Sequence, residues 1–244
     1  MGDTSSDDRF HTTHWSLVVA AAKQGTDEAE GALESLCQAY WYPLYAFARR
    51  SGRSVHEAED LTQAFLSKVL EKNYLKSADR QRGRFRSFLL TMFKRFVLAQ
   101  RQAETAQRRG GGVTHLSLDF DDGERRYSLE PVDGWTAEMQ FERQWALTLL
   151  SRVMETLRAS YAARGSVEIF DRLRHCLTSA PEEATYAELA DELKLSAGAL
   201  RVKVHRMRAQ YREMLHSEVA QTLENPEETT QELEYLRTAI RGNS

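Results

Sequence analysis

Apolar residues recur every three or four positions through most of the chain, a period that predicts helices packed by one face. After a polar arm over residues 1–12, Thr13 through Lys23 reads as a short helix ending near Gly25. Asp27 with Glu30 makes a capping box for the next helix, whose Leu33, Leu36 and Cys37 share a face, and Pro43 breaks or restarts it. "PLYAFARRSG" then resumes helix, with Pro43 in its first turn, Arg49 and Arg50 at its end and Gly52 just past it. In "EDLTQAFLSKVL", residues 59–70, a mostly apolar stripe of Leu61, Thr62, Phe65, Leu66 and Val69 opposes Asp60, Gln63, Ser67 and Glu71. Beyond a loop around Lys76 to Gly83, "RFRSFLLTMFKRFVLAQRQ" repeats Phe85, Phe88, Leu89, Met92 and Phe96 along one aromatic face.

The second half begins near Thr136, with a long helix ending at Gly165 and another over Val167 to Leu177. "TSAPEEA" turns the chain. Two helices joined by a very short turn follow. Thr185 with Glu188 forms a capping box, and Leu189, Ala190 and Leu193 face inward. Lys194 and Leu195 make the turn, and Ser196 caps the second helix, whose Leu200, Val204, Met207 and Tyr211 share the inward face. Between the halves, "RRGGG" and an acidic stretch up to residue 134 read as a linker with a short strand-like piece. The tail carries Leu233, Leu236 and Ile240 at helical spacing, which predicts a short helix that docks on its own chain, masks basic surface or ends in solvent.

Composition supports this all-α reading: four prolines, few β-branched runs and many Ala, Leu, Glu and Arg. With 244 residues the chain is long enough for two helical domains, and a charged fraction of 28% does not disrupt the periodic apolar pattern. Cys37 and Cys176 are far apart and outside any C-x-x-C pattern, so neither a disulfide framework nor a zinc site is expected. No signal peptide or membrane span is expected, and the predicted location is the cytoplasm. Trp15, Trp41, Trp135 and Trp145 are expected in cores or between helices.

Charge distribution changes the picture more than its total. The formal net charge is -3, yet Lys68 to Arg109 is strongly basic, including Lys72, Lys76, Arg80, Arg82, Arg108 and Arg109, while Asp119 to Glu142 and the tail from Glu213 to Glu234 are acidic. Aromatics interleaved with cations in "RFRSFLLTMFKRF" fit a groove for single-stranded nucleic acid, although one buried stripe accounts for the same aromatics. The paired helices from Ala184 fit a DNA-reading helix-turn-helix. Arg201, Val202, His205 and Arg206 point away from the inward face and could enter a major groove, with Lys203, Arg208 and Arg212 on phosphates. A plain helical hairpin with a solvated basic face is the other reading. His11 and His14 are spaced H-x-x-H without a Cys or carboxylate cluster, so no metal is expected. No nucleophile–base pair or phosphate-binding glycine loop is present, so the chain is not expected to be an enzyme or to carry a cofactor.

"YWYPLYAFARR", "AEDLTQAFL", "RGRFRSFLLTMFKRFVLAQR" and "TYAELADELKLSAGALRVKVHRMRAQYREML" together resemble an extracytoplasmic-function (ECF) sigma factor of bacterial RNA polymerase, of a subgroup with N- and C-terminal extensions. The resemblance implies an extension over 1–32, a sigma-2-like domain over 33–107, a linker over 108–136, a sigma-4-like domain over 137–220 and an acidic extension over 221–244. It implies core RNA polymerase as partner, through the β' coiled coil and the β subunit, with Asp60, Leu61, Gln63 and Phe65 at the docking helix. It further implies promoter DNA, single-stranded at the minus-10 element through Arg84, Arg86, Phe88, Lys94 and Arg95. Double-stranded DNA at the minus-35 element would meet Ser196, Arg201, Val202, Lys203, His205, Arg206 and Arg208. Regulatory partners would be an anti-sigma factor or a kinase, with Ser117, Ser128 and Thr136 in or beside the acidic linker as candidate phosphorylation sites.

Three departures from the family pattern stand out. Ala64 replaces a frequent acidic residue, Phe88 replaces a frequent Trp, and the stretch before the helix-turn-helix is long. Two other functions compete: a conventional helix-turn-helix regulator whose N-terminal half dimerises or senses, and an adaptor that binds polymerase without DNA.

Overall fold

The computed structural model describes residues 26–71, 84–106, 118–130, 134–177 and 183–242, together with Val18 and Ala21. The helix expected over Thr13 to Lys23 falls almost wholly outside these residues, as do Lys72, Lys76, Arg80, Arg82, Arg108, Arg109, His11, His14 and Trp15. The described residues are all-helical, with no strand among them. They form α1 (Asp27–Arg50), α2 (Val55–Glu71), α3 (Phe85–Ala106), α4 (Phe120–Ser128), α5 (Ala137–Ala163), α6 (Val167–Leu173), α7 (Glu183–Glu192), α8 (Ala197–Gln221) and α9 (Thr229–Arg241). None of these helices is long and apolar enough to cross a membrane.

Local chemistry explains several helix starts and corrects several expectations. α1 is capped by Thr26, whose extended backbone and side-chain oxygen receive the Ala29 N–H at 3.1 Å. Asp27 and Glu30 therefore sit in the first turn, where their charge suits the helix dipole, rather than forming the cap. α1 also runs unbroken through Pro43. The lost hydrogen bond and ring clash cost about 3 kcal/mol, but Tyr40, Tyr42, Leu44, Tyr45 and Phe47 are buried around that position and hold the helix in one piece. α2 starts earlier than its apolar pattern, because Ser54 and Glu57 cap each other: the Ser54 N–H donates to Glu57 at 2.8 Å, and the Glu57 N–H to the Ser54 hydroxyl at 3.3 Å.

The acidic linker contains no strand-like piece among its described residues. It forms α4 instead, capped by Asp119, which accepts the Asp122 N–H at 2.9 Å, and its Phe120 ring lies against Trp41 and Tyr45 of α1. Gly123 is buried there, and glycine fits because a Cβ would stand 3.0 Å from the Trp41 ring.

The chain divides into two compact units, one of Met1–Leu149 with Val219–Ser244 and the other of Leu150–Glu218. The division falls inside α5 and not at the linker. The N-terminal turns of α5 bury Phe141, Trp145 and Leu149, while its later Leu157 belongs to the second core. In the first unit, edge-on aromatic contacts join the helices: Phe47 to Phe93 at 6.0 Å and Phe65 to Phe93 at 5.0 Å between ring centres. Trp145 donates to the Tyr40 hydroxyl at 3.1 Å. Ser67, expected on the polar face of α2, is buried, as are Leu61, Phe65 and Leu66. The second unit closes around Leu157, Phe170, Leu173, Cys176, Ala190, Leu200, Val204 and Met207.

Candidate nucleic-acid interface

In the second unit, α7 and α8 form the expected helical pair. α7 begins at Glu183, so Thr185 lies inside its first turn and is not its cap. The turn is sharp because Lys194 adopts a left-handed backbone, φ 53°, which lets the Leu195 N–H reach back to the Ala190 carbonyl at 2.9 Å. Ser196 then caps α8, accepting the Ala199 N–H at 3.2 Å. Leu200, Val204 and Met207 are buried, which fixes the rotation of α8 and leaves Arg201, Val202, His205 and Arg206 exposed on the other side. Val202 is 49% exposed, an apolar side chain on an otherwise charged face. Lys203 is half-buried at the edge. Arg208 turns inward and donates to the Cys176 carbonyl at 2.7 Å, so it braces the unit.

On α2 the expected docking residues separate. Asp60 is exposed and Gln63 half-buried, on a face that also presents His56, whereas Leu61 and Phe65 lie in the core and hold the helix in place. Asp60 and Gln63 are thus the two of the four that face outward.

α3 departs furthest from its expected orientation. Phe85, Leu89, Leu90, Phe93 and Phe96 are buried, with Phe88 and Met92 only partly so. The buried face is rotated toward Arg86, which is 2% exposed. That guanidinium meets Glu142 of α5 at 2.6 Å and Glu232 of α9 at 2.6 Å, and lies 4.4 Å from the Trp145 ring centre. Burial works against its charge, but the two carboxylates outweigh it and raise its pKa above the ordinary arginine value. Arg84 reaches the other oxygen of Glu232 at 2.5 Å, and Lys94 pairs with Glu138 at 2.5 Å, holding that carboxyl below its usual range. Arg95 is exposed.

Three of the four cations expected to meet a single strand therefore hold carboxylates of their own chain in this structure. Glu138, Glu142 and Glu232 were not singled out by sequence. The one available signal for the last is that Glu232 precedes Leu236 by four residues and so shares the buried stripe of the tail helix.

Compared with known proteins, the chain matches no family model, no curated sequence and no solved structure.

Proposed function

We propose that this chain is a sigma factor: it binds core RNA polymerase, brings it to a promoter and holds the melted strand of the minus-10 region. The observation that carries this reading is the α7–α8 pair, in which a tight left-handed turn and a serine cap lead into a helix with Arg201, Val202, His205 and Arg206 all exposed. Such a helix presents charged donors and one apolar contact to base edges, as a recognition helix does. A separate helix, α2, offers Asp60 beside Gln63 as a polar docking face, supported from below by Leu61 and Phe65. No covalent step is needed. Binding free energy from phosphate and base contacts offsets the cost of unpairing and unstacking.

The test is retention by purified core RNA polymerase, wild type beside the Asp60→Ala/Gln63→Ala double variant, both checked by circular dichroism. Retention of wild type and its marked loss in the folded variant are expected. Absence of retention in wild type, and in a chain shortened at its tail, would overturn the reading in favour of a conventional helix-turn-helix regulator.

A further inference from the structure

We infer that α9 is a displaceable cap on a phosphate subsite of α3, with Glu232 seated where a DNA backbone phosphate binds when the protein engages a promoter. The inference rests on the proposed role of α3 in strand binding and adds its regulation.

Glu232 is completely buried, and its two carboxylate oxygens reach two different guanidiniums, Arg84 at 2.5 Å and Arg86 at 2.6 Å. A phosphodiester presents the same thing to the same groups, two anionic oxygens within reach of planar donors. The same helix lays the Tyr235 ring near both cations, 5.4 Å from Arg84 and 5.5 Å from Arg86. α9 thus supplies an anion and a flat ring, the two components that a nucleotide of a single strand brings to a basic groove. Because one carboxylate is ion-paired with both guanidiniums, Glu232 and a phosphate compete for one place.

The rest of the grip is light enough for exchange. The buried residues of α9 are Thr229, Glu232 and Leu236, and Tyr235 remains 42% exposed. A groove of about 260 Å³ lined by Trp135, Met139, Glu142, Tyr235 and Thr238 lies between α5 and α9, so the contact is incompletely packed. Departure of α9 strands no buried charge either. Glu142 stays on Arg86 at 2.6 Å, and Glu232 passes into water. A cluster of two arginines and two glutamates, neutral as a whole, becomes one with a single net positive charge turned toward solvent. A permanent brace would be built as well by replacing the whole ion cluster with apolar side chains, because a buried ion pair adds little over its hydrophobic replacement.

The full-length chain is titrated into a fluorescein-labelled single-stranded DNA oligonucleotide of mixed sequence and followed by anisotropy, with polymerase retention measured on the same preparations. Glu232→Gln keeps the side-chain shape and removes the competing charge. Leu236→Ala loosens the helix with the charge intact, and a chain ending at Glu224 removes it altogether. Binding is expected to tighten several-fold, up to about tenfold, in keeping with one or two recovered phosphate contacts, and Arg84→Ala in the Glu232→Gln background is expected to cancel the gain. Unchanged or weaker binding by Glu232→Gln with wild-type helicity, and by the shortened chain with only the helicity of α9 lost, would make α9 a fixed brace and end the proposal. Failure of polymerase to retain any form would overturn the sigma-factor reading instead, since the oligonucleotide reports on the subsite without polymerase.

Discussion

Arg49 of α1 grips Glu124 of α4 with two nitrogens, Nε at 2.9 Å and Nη2 at 2.8 Å, while the Tyr45 hydroxyl donates to the same carboxylate at 2.5 Å. This fork makes the linker helix part of the first unit. The Arg49 contact holds the Glu124 carboxyl below its ordinary 4.5, and the Tyr45 hydrogen bond adds to this. Burial, then the bond to Glu124, pushes the Tyr45 phenol up, so it keeps the proton it donates. A carboxyl with a depressed folded pKa stabilises the fold above its unfolded value and loses that contribution as pH falls through the folded value. Stability is therefore expected to drop as pH falls below 4.5. Glu124→Gln should lower stability at pH 7 and flatten that acid limb, as read by thermal unfolding across pH.

Arg86 is expected to be among the most costly residues to remove. Arg86→Met leaves Glu142 without its cation and Glu232 with Arg84 alone, and breaking such buried pairs costs about 3–5 kcal/mol. Urea unfolding of the first unit would measure it. Adding Glu142→Gln should recover much of the loss, because the carboxylate left without a cation is then neutral.

Lys194 holds a left-handed backbone at φ 53° with a side chain that this conformation disfavours. Lys194→Gly should stabilise the second unit by roughly 0.5–1 kcal/mol, the strain relieved less the added freedom of glycine in the unfolded chain. On the proposed sigma-factor reading, DNA binding should be little changed, since Gly suits the same turn.

Two arginines two residues apart on α8, and so on opposite sides of it, should behave differently. Arg206 is exposed, and if α8 reads DNA as proposed, Arg206→Ala is expected to weaken specific binding by about 1–3 kcal/mol without moving the melting temperature. Arg208 donates to the Cys176 carbonyl, so Arg208→Ala should lower the melting temperature as well. Parallel calorimetry and binding on the same variants separate the two roles.

Thr62 is fully buried and its hydroxyl oxygen has no hydrogen-bond partner. Thr62→Val removes a desolvated polar group at nearly constant volume and is expected to stabilise by about 1 kcal/mol. Chemical denaturation would show the midpoint move upward.

The sequence by itself determined the helical class, because its apolar period matches one face of a helix and its cap residues sit where chains turn. Ser196 before α8, and the stripe Leu200, Val204, Met207, were legible for that reason. Ser54 and Glu57 are an equally local S-x-x-E pair ahead of the apolar run of α2, though the apolar pattern alone did not single them out. Tertiary structure decided what periodicity leaves open. Pro43 stays inside α1 only because a packed aromatic core outweighs its local cost. Arg86 turns inward only because Glu142 and Glu232 arrive from distant helices to neutralise it. With 33 basic and 36 acidic residues, many pairings satisfy the sequence equally, and the choice among them is made when packing brings particular helices within Coulombic reach.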